Sequence, residues 1–214
     1  ERRPPVDLAP RRLNLSYVLH EPSTSAVVRA AAERSNAEAR RLRRATAALA
    51  ALSDAALRQR IVVLATTQPD ALSQGTAPPA IASIHLGPWW LLPRVLGLIA
   101  SDGTPRPVHL IDQPAAAATR IVPFFRAPAR LAVPDASAPD YPAWFAALVL
   151  RPGGDTLLLQ LDTVPGSEAS PTERDAALVG AAERAIRAHV EQWSCPGPLW
   201  DASAERSLPE FAPG

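Results

Sequence analysis

The residues best suited to chemistry lie together in the run Ile81-Ala-Ser-Ile-His85-Leu-Gly87-Pro-Trp89-Trp90. A short apolar strand pattern, Ala80 to His85, ends on the imidazole. Gly87 and Pro88 then turn the chain, and proline suits the first position of a helix. Strand ends in α/β sheets open into crevices, so a histidine there can meet a ligand. An imidazole in that place can take a proton from a substrate hydroxyl. A helix starting just after Gly87 would present free N–H groups and the positive end of its dipole. Together these groups suit a reaction in which an oxyanion forms beside His85.

The elements that must hold this run are legible by periodicity. Ser23, Thr24 and Ser25 offer N-caps for a long helix that continues to about Leu52. Its apolar positions Val27, Val28, Ala31 and Ala32, then Leu42, Ala45, Ala48, Leu49 and Leu52, keep helical spacing. Ser53 and Asp54 cap a short helix through Arg60. The β-branched run Ile61 to Ala65 predicts a strand, and Pro107 to Ile111 another. Residues 68–79 read as a loop or short helix. Trp89 to Ala100 reads as a buried helix. Residues 113–145, rich in proline and alanine, show little periodicity.

Leu148 to Leu150 and Thr156 to Leu161 predict a hairpin around Pro152, Gly153 and Gly154. Ser170 caps a last long helix with Pro171 at its first position, and Ala177, Leu178, Ala181, Ala185, Ile186 and Val190 form its apolar face. Helices outside and strands between describe an α/β fold: a single domain with a small central mixed sheet flanked by helices. The expected organisation is an extended segment over 1–22, the domain over 23–193 and an irregular tail over 194–214.

Composition narrows the function classes. The 214 residues carry a net charge of +1, which argues against a dedicated nucleic-acid binder. All 22 basic residues are arginine, and methionine is absent. That pattern reads as a GC-rich codon bias, and the missing methionine marks the first residue as a processed or truncated start. Residues 1–60 hold 12 arginines against six acids. Arg40, Arg41, Arg43 and Arg44 form a cluster that is either a solvated helix face or a contact for anionic head groups or a phosphorylated carrier. Cys195 is the single cysteine and reads as an ordinary thiol, which suits a reducing, cytoplasmic setting. No run reaches the roughly 18 apolar residues of a membrane helix. His20, His109 and His189 have no partners at firm metal-ligand spacing, and His109 with Asp112 is a weak pair. No Gly-x-Ser-x-Gly elbow, phosphate-binding loop, dinucleotide fingerprint or cysteine pair occurs.

From His85 to Trp90 the chain reads His-Leu-Gly-Pro-Trp-Trp. This resembles the His-Phe/Leu-Gly-Asn-Trp-Glu motif of the lipid A late acyltransferases, an instance of the acyltransferase pattern His-x4-Asp/Glu. Other segments are similar to that family in the same order. Arg12 with Asn14 to Leu19 resembles its Arg-x-x-Asn-Leu segment. Val122-Pro-Phe-Phe125, followed by Ala127-Pro-Ala129, resembles its Val-Pro-Phe-Phe-Gly-x-Pro-Ala element, with Arg126 in place of the glycine. Ala182 to Trp193 resembles its C-terminal helix, matching at Glu183, Ile186, Arg187 and Trp193 and departing at Ala182 and Val190.

The resemblance implies an acyltransferase-like fold. It also implies transfer of an acyl group from a coenzyme A or acyl-carrier-protein thioester to a hydroxyl or amine. His85 would be the general base. Gly87, Trp89, Trp90, Arg120, Phe124 and Phe125 would bind substrate, with no cofactor and no metal. The protein would be cytoplasmic, with a peripheral contact at the inner face of the membrane through Arg40, Arg41, Arg43 and Arg44.

The departures are as informative. Trp90 stands where the family has its carboxylate, and Pro88 where it has asparagine. An indole only donates a hydrogen bond, so Trp90 cannot orient or stabilise the imidazolium. Asp112, after a predicted strand, and Asp162, at the end of another, are the carboxylates able to take that role. The chain is shorter than the family between Ile111 and Ile121, where members carry a substrate-binding arginine, and Arg120 is the nearby candidate. Two further readings stay open: a catalytically degenerate member that binds a lipid or partner through Trp89, Trp90, Leu91, Leu92, Phe124 and Phe125, and a histidine reused for other chemistry.

Overall fold

In the computed structural model the chain is described over residues 8–65, 81–100, 108–110, 120–124, 127–131, 144–165 and 168–193. It opens with a helix, α1 (Ala9–Leu19), where sequence reading expected an extended segment. Pro10 lies in the first turn, where a missing N–H costs nothing, so it starts the helix instead of blocking it. Packing then holds α1 in place. Leu15, Tyr17 and Val18 are buried, and Arg187 donates from Nε to the Val18 carbonyl at 2.9 Å. His20 ends the helix in the left-handed region, at φ 55°.

Helix α2 (Ala26–Ala50) begins at Ser25, whose side-chain oxygen accepts from the Val28 N–H at 3.2 Å. Of the three cap candidates this geometry selects one. Ser25→Ala is therefore expected to lower stability by about 1 kcal/mol. The exposed Thr24→Ala should stay within about 0.5 kcal/mol of the parent. Urea denaturation of the two variants checks the assignment, and equal midpoints would refute it. Helix α3 (Asp54–Arg58) is capped in the same manner by Ser53.

The strands follow. β1 (Ile61–Ala65), β2 (Ile81–Ser83) and β3 (Val108–Leu110) match the three apolar runs. β4 (Arg120–Phe124) and β5 (Ala127–Leu131) form a separate antiparallel pair in the stretch that showed little periodicity. β6 (Trp144–Leu150) and β7 (Leu157–Thr163) make the expected hairpin, longer than its sequence signal, in register from Trp144 with Thr163 to Leu150 with Leu157. The main sheet has the order β1-β7-β6-β2-β3. β2 is parallel to both β6 and β3, β1 is parallel to β7, and β6 with β7 is antiparallel. The chain is thus a single small α/β domain with a mixed sheet.

Trp89 to Leu91 form a 3-10 turn and only then does α4 (Leu92–Ile99) begin, in place of one helix from Trp89. Pro93 is the reason. It has no N–H to give, and its ring would collide with the carbonyl four residues earlier, that of Trp89. Helix α5 (Pro171–Ala188), with a reciprocal capping box between Ser170 and Glu173, is followed by a 3-10 turn, Val190–Gln192. Hydrogen bonds from Ser170 hold the Glu173 carboxyl below its ordinary value. A depressed carboxyl stabilises the fold above its unfolded-state value, and this contribution fades as pH falls through the lowered one.

Every residue of β6 is buried, because helices cover both faces of the sheet. Phe145, Ala147 and Val149 pack with α1 and α5, and Ala146, Leu148 and Leu150 pack on the other side with Leu57, Leu92 and Leu96. α2 contributes to both cores, through Val28, Ala31 and Ala32 near its start and Leu42 and Leu49 near its end. Its middle passes the turn that follows β2, and this is where the candidate site lies.

Candidate functional site

His85 lies two residues beyond the last residue of β2 and is 5 % exposed. Its ring packs on Trp89, with centroids 4.2 Å apart and planes tilted by 35°. Trp90 meets Trp89 edge to face at 5.8 Å and is itself 45 % exposed. The imidazole is therefore roofed by one indole, and the second indole faces outward.

The turn is fixed by Gly87, at φ 56°. β2 pairs with β6 only at Ile81 with Trp144 and Ala82 with Phe145. Beyond that point the chain turns across β6 so closely that a side chain at Gly87 has no room. A Cβ there would sit 2.3 Å from the Leu148 carbonyl oxygen. The edge of β6 that β2 leaves uncovered is closed by Gln192. Its side-chain amide accepts from the Leu150 N–H at 2.9 Å and donates to the Leu150 carbonyl at 2.7 Å. The Gln192 backbone carbonyl in turn accepts the Gly87 N–H at 3.0 Å, and Leu86 bridges Trp193.

This arrangement changes the oxyanion argument. The Gly87 N–H is engaged, Pro88 has none, and the Leu91 N–H bonds the Pro88 carbonyl at 2.9 Å. Among the described residues no hydrogen bond engages the N–H groups of Trp89 and Trp90, which lie on a 3-10 turn instead of the start of a long α-helix.

Asp162 and the two ends of β4 are the other candidates among the described residues. Asp162 stands opposite Phe145 in the β6–β7 register and is 8 % exposed. Its carboxylate accepts from Gln160 Nε2 at 2.8 Å and lies 3.7 Å from Arg184 of α5. Arg120 and Phe124 are the two ends of β4, in register with Leu131 and Ala127. Asp112 and Phe125 lie outside the described residues. The structure thus brings together His85, Gly87, Trp89 and Trp90, and places Asp162 with Gln160 and Arg184.

Sequence reading did not single out Gln192, Arg11 or Ser35. Gln192 has no local signal, because its partner lies 42 residues away on β6. Trp193 was visible only as a family-like tryptophan, and it is 3 % exposed, with its backbone carbonyl accepting from the Ser35 hydroxyl at 3.2 Å. A cavity of about 170 Å3 lies beside the turn, lined by Arg11, Ser35, Arg43, Gly87, Trp90 and Trp193 among others. In the arginine cluster, Arg41 donates from Nε to the Glu38 carboxylate at 2.8 and 2.9 Å, whereas Arg40, Arg43 and Arg44 are exposed. The hydrogen bond to Glu38 raises the Arg41 value further above its ordinary one.

Among the described residues no group of three or more histidine, cysteine, aspartate or glutamate side chains is placed to hold a metal ion. No helix among them is long and apolar enough to cross a membrane. Compared with known proteins, the chain matches no family model and no curated sequence.

Proposed function

We propose that the chain is an acyltransferase-type domain that moves an acyl group from a coenzyme A or acyl-carrier-protein thioester to a hydroxyl or amine acceptor. The supporting observation is the position of His85, buried beyond the carboxyl end of β2 in the parallel part of the sheet and followed at once by the left-handed Gly87 turn. In this reading His85 takes the proton of the acceptor as its oxygen or nitrogen attacks the thioester carbonyl. The carbon–sulfur bond then breaks, and the proton passes to the departing thiolate. The Trp89 and Trp90 N–H groups are the donors available to the transient oxyanion. Because Trp89 roofs the imidazole, turnover requires that indole to move aside. Exposed Arg40, Arg43 and Arg44 supply a contact for an anionic carrier or membrane surface.

A second reading has its own support. Trp90 occupies the position of the motif acid, and Asp162, one candidate substitute, is bonded to Gln160 and near Arg184. A domain with an indole in place of the motif acid is suited to binding an acyl chain without transferring it.

Mass-spectrometric acylation assays separate the two. Parent protein and His85→Ala are incubated with acyl-CoA and acyl-carrier thioesters and a panel of hydroxyl and amine acceptors. Turnover in the parent that falls at least about a hundredfold in His85→Ala supports general-base transfer. Equal thioester consumption by both proteins removes His85 from the chemistry. Retention of an acyl chain without transfer by either favours the binding reading.

A further inference from the structure

Ser35 places a hydroxyl in the middle of the alanine-rich helix α2 and is 2 % exposed. A serine inside a helix gives up propensity relative to alanine, and its hydroxyl commonly turns back to a carbonyl one turn earlier. Ser35 does otherwise. Its hydroxyl donates to the Trp193 carbonyl at 3.2 Å, across 158 residues of sequence. Trp193 forms an antiparallel bridge with Leu86, and the Gln192 carbonyl accepts the Gly87 N–H at 3.0 Å. In a bridge of this kind the carbonyls of the two paired residues point away from each other, which leaves that of Trp193 to face α2. Gln192 and Trp193 thus grip the two residues that follow His85, and Ser35 ties that grip to α2.

We infer that Ser35 is a positioning residue for His85, acting through Trp193 and Leu86. Trp89, packed on the imidazole at 4.2 Å, belongs to the same turn as His85 and gives it no tie to α2. Ser35 supplies one from a helix buried in both cores. Its role in catalysis rests on the acyl-transfer reading, in which a base misplaced by roughly 1 Å costs about a hundredfold in rate. Its role in placing the ring is measured without turnover.

Histidine-selective 13C labelling of the whole chain gives one ring signal for each of the four histidines, and that of His85 is the one missing from His85→Ala. Ser35→Ala is expected to shift or broaden the His85 signal more than that of His20, which caps the far helix α1. Its Tm should stay within about 4 °C of the parent, because alanine's better helix propensity offsets part of the lost hydrogen bond. Ser35→Thr keeps the hydroxyl, and the cavity of about 170 Å3 that Ser35 lines has room for the added methyl group, so the parent spectrum should return. In acylation assays kcat should fall at least about tenfold in Ser35→Ala, with KM within about twofold, and recover in Ser35→Thr. A His85 signal that stays in place in Ser35→Ala would overturn the assignment, and so would equal kcat in parent and Ser35→Ala. A parent with no turnover, whose His85 signal moves in Ser35→Ala and returns in Ser35→Thr, would remove the acyl-transfer reading and keep the placement of the ring by Ser35.

Discussion

Gly87→Ala is expected to destabilise the protein by about 3–5 kcal/mol, a large part of the total stability of a domain this size. Two costs combine. An alanine held at φ 56° is strained by roughly 1 kcal/mol or more, since its Cβ crowds the backbone in the left-handed region. The second cost is larger. The new Cβ would lie 2.3 Å from the Leu148 carbonyl oxygen and 3.0 Å from the Val149 Cα, and both atoms belong to the backbone of the central strand β6. A flexible side chain could swing away, but a strand bonded to β7 along its length cannot. Either the turn lifts off β6 or the sheet distorts, and both break the Gly87 to Gln192 hydrogen bond. Urea denaturation followed by far-ultraviolet circular dichroism measures the loss. Gly97→Ala is the matched control. Gly97 lies inside α4, and an added methyl group there would meet nothing within 4 Å, so alanine should be neutral or stabilising by up to about 1 kcal/mol. A Gly87→Ala midpoint equal to that of the parent would mean that the turn does not press on β6.

Gln192→Leu is the second large effect, at about 2–6 kcal/mol. The Gln192 side chain is 4 % exposed and satisfies both the N–H and the carbonyl of Leu150. Leucine fills a similar volume but provides neither partner. Two buried backbone groups would lose their bonds, each at about 1–3 kcal/mol. The readout is local as well as global. Hydrogen exchange at the Leu150 amide should accelerate beyond what the drop in overall stability explains, because that N–H bonds Gln192 and not a neighbouring strand. Unchanged protection at Leu150 would show that the amide has another acceptor. Since Gly87 and Gln192 hold the same turn, Gly87→Ala and Gln192→Leu should cost less together than the sum of their separate effects.

The histidine run was legible in the sequence, and so were the elements with strong local signals. Ser25, Ser53 and Ser170 cap helices where capping chemistry put them, and Ile61 to Ala65 is the strand its β-branched residues favour. Other features followed different rules. α1 was hidden by Pro10, Arg11 and Arg12, because a helix in a protein is held more by burial than by propensity. α4 starts three residues later than its hydrophobicity suggested, because Pro93 overrides an otherwise continuous apolar run. The β4–β5 pair carries prolines in both strands, Pro123 opposite Pro128, which removes the usual strand signature.

Residue order by itself determined the α/β class, the caps, the hairpin between β6 and β7, and the presence of an imidazole just past a strand end. Each of these depends on contacts within a few positions along the chain, where side-chain type and spacing are sufficient information. Tertiary structure alone decided that Trp89 roofs His85, that Asp162 bonds Gln160 and lies near Arg184, that Gln192 closes the edge of β6 and that Arg11, Arg43 and Trp193 share a cavity. Most of these depend on residues that are distant in the chain and meet only when helices and sheet pack. Their distances are set by the whole fold, and no local pattern of residues encodes them.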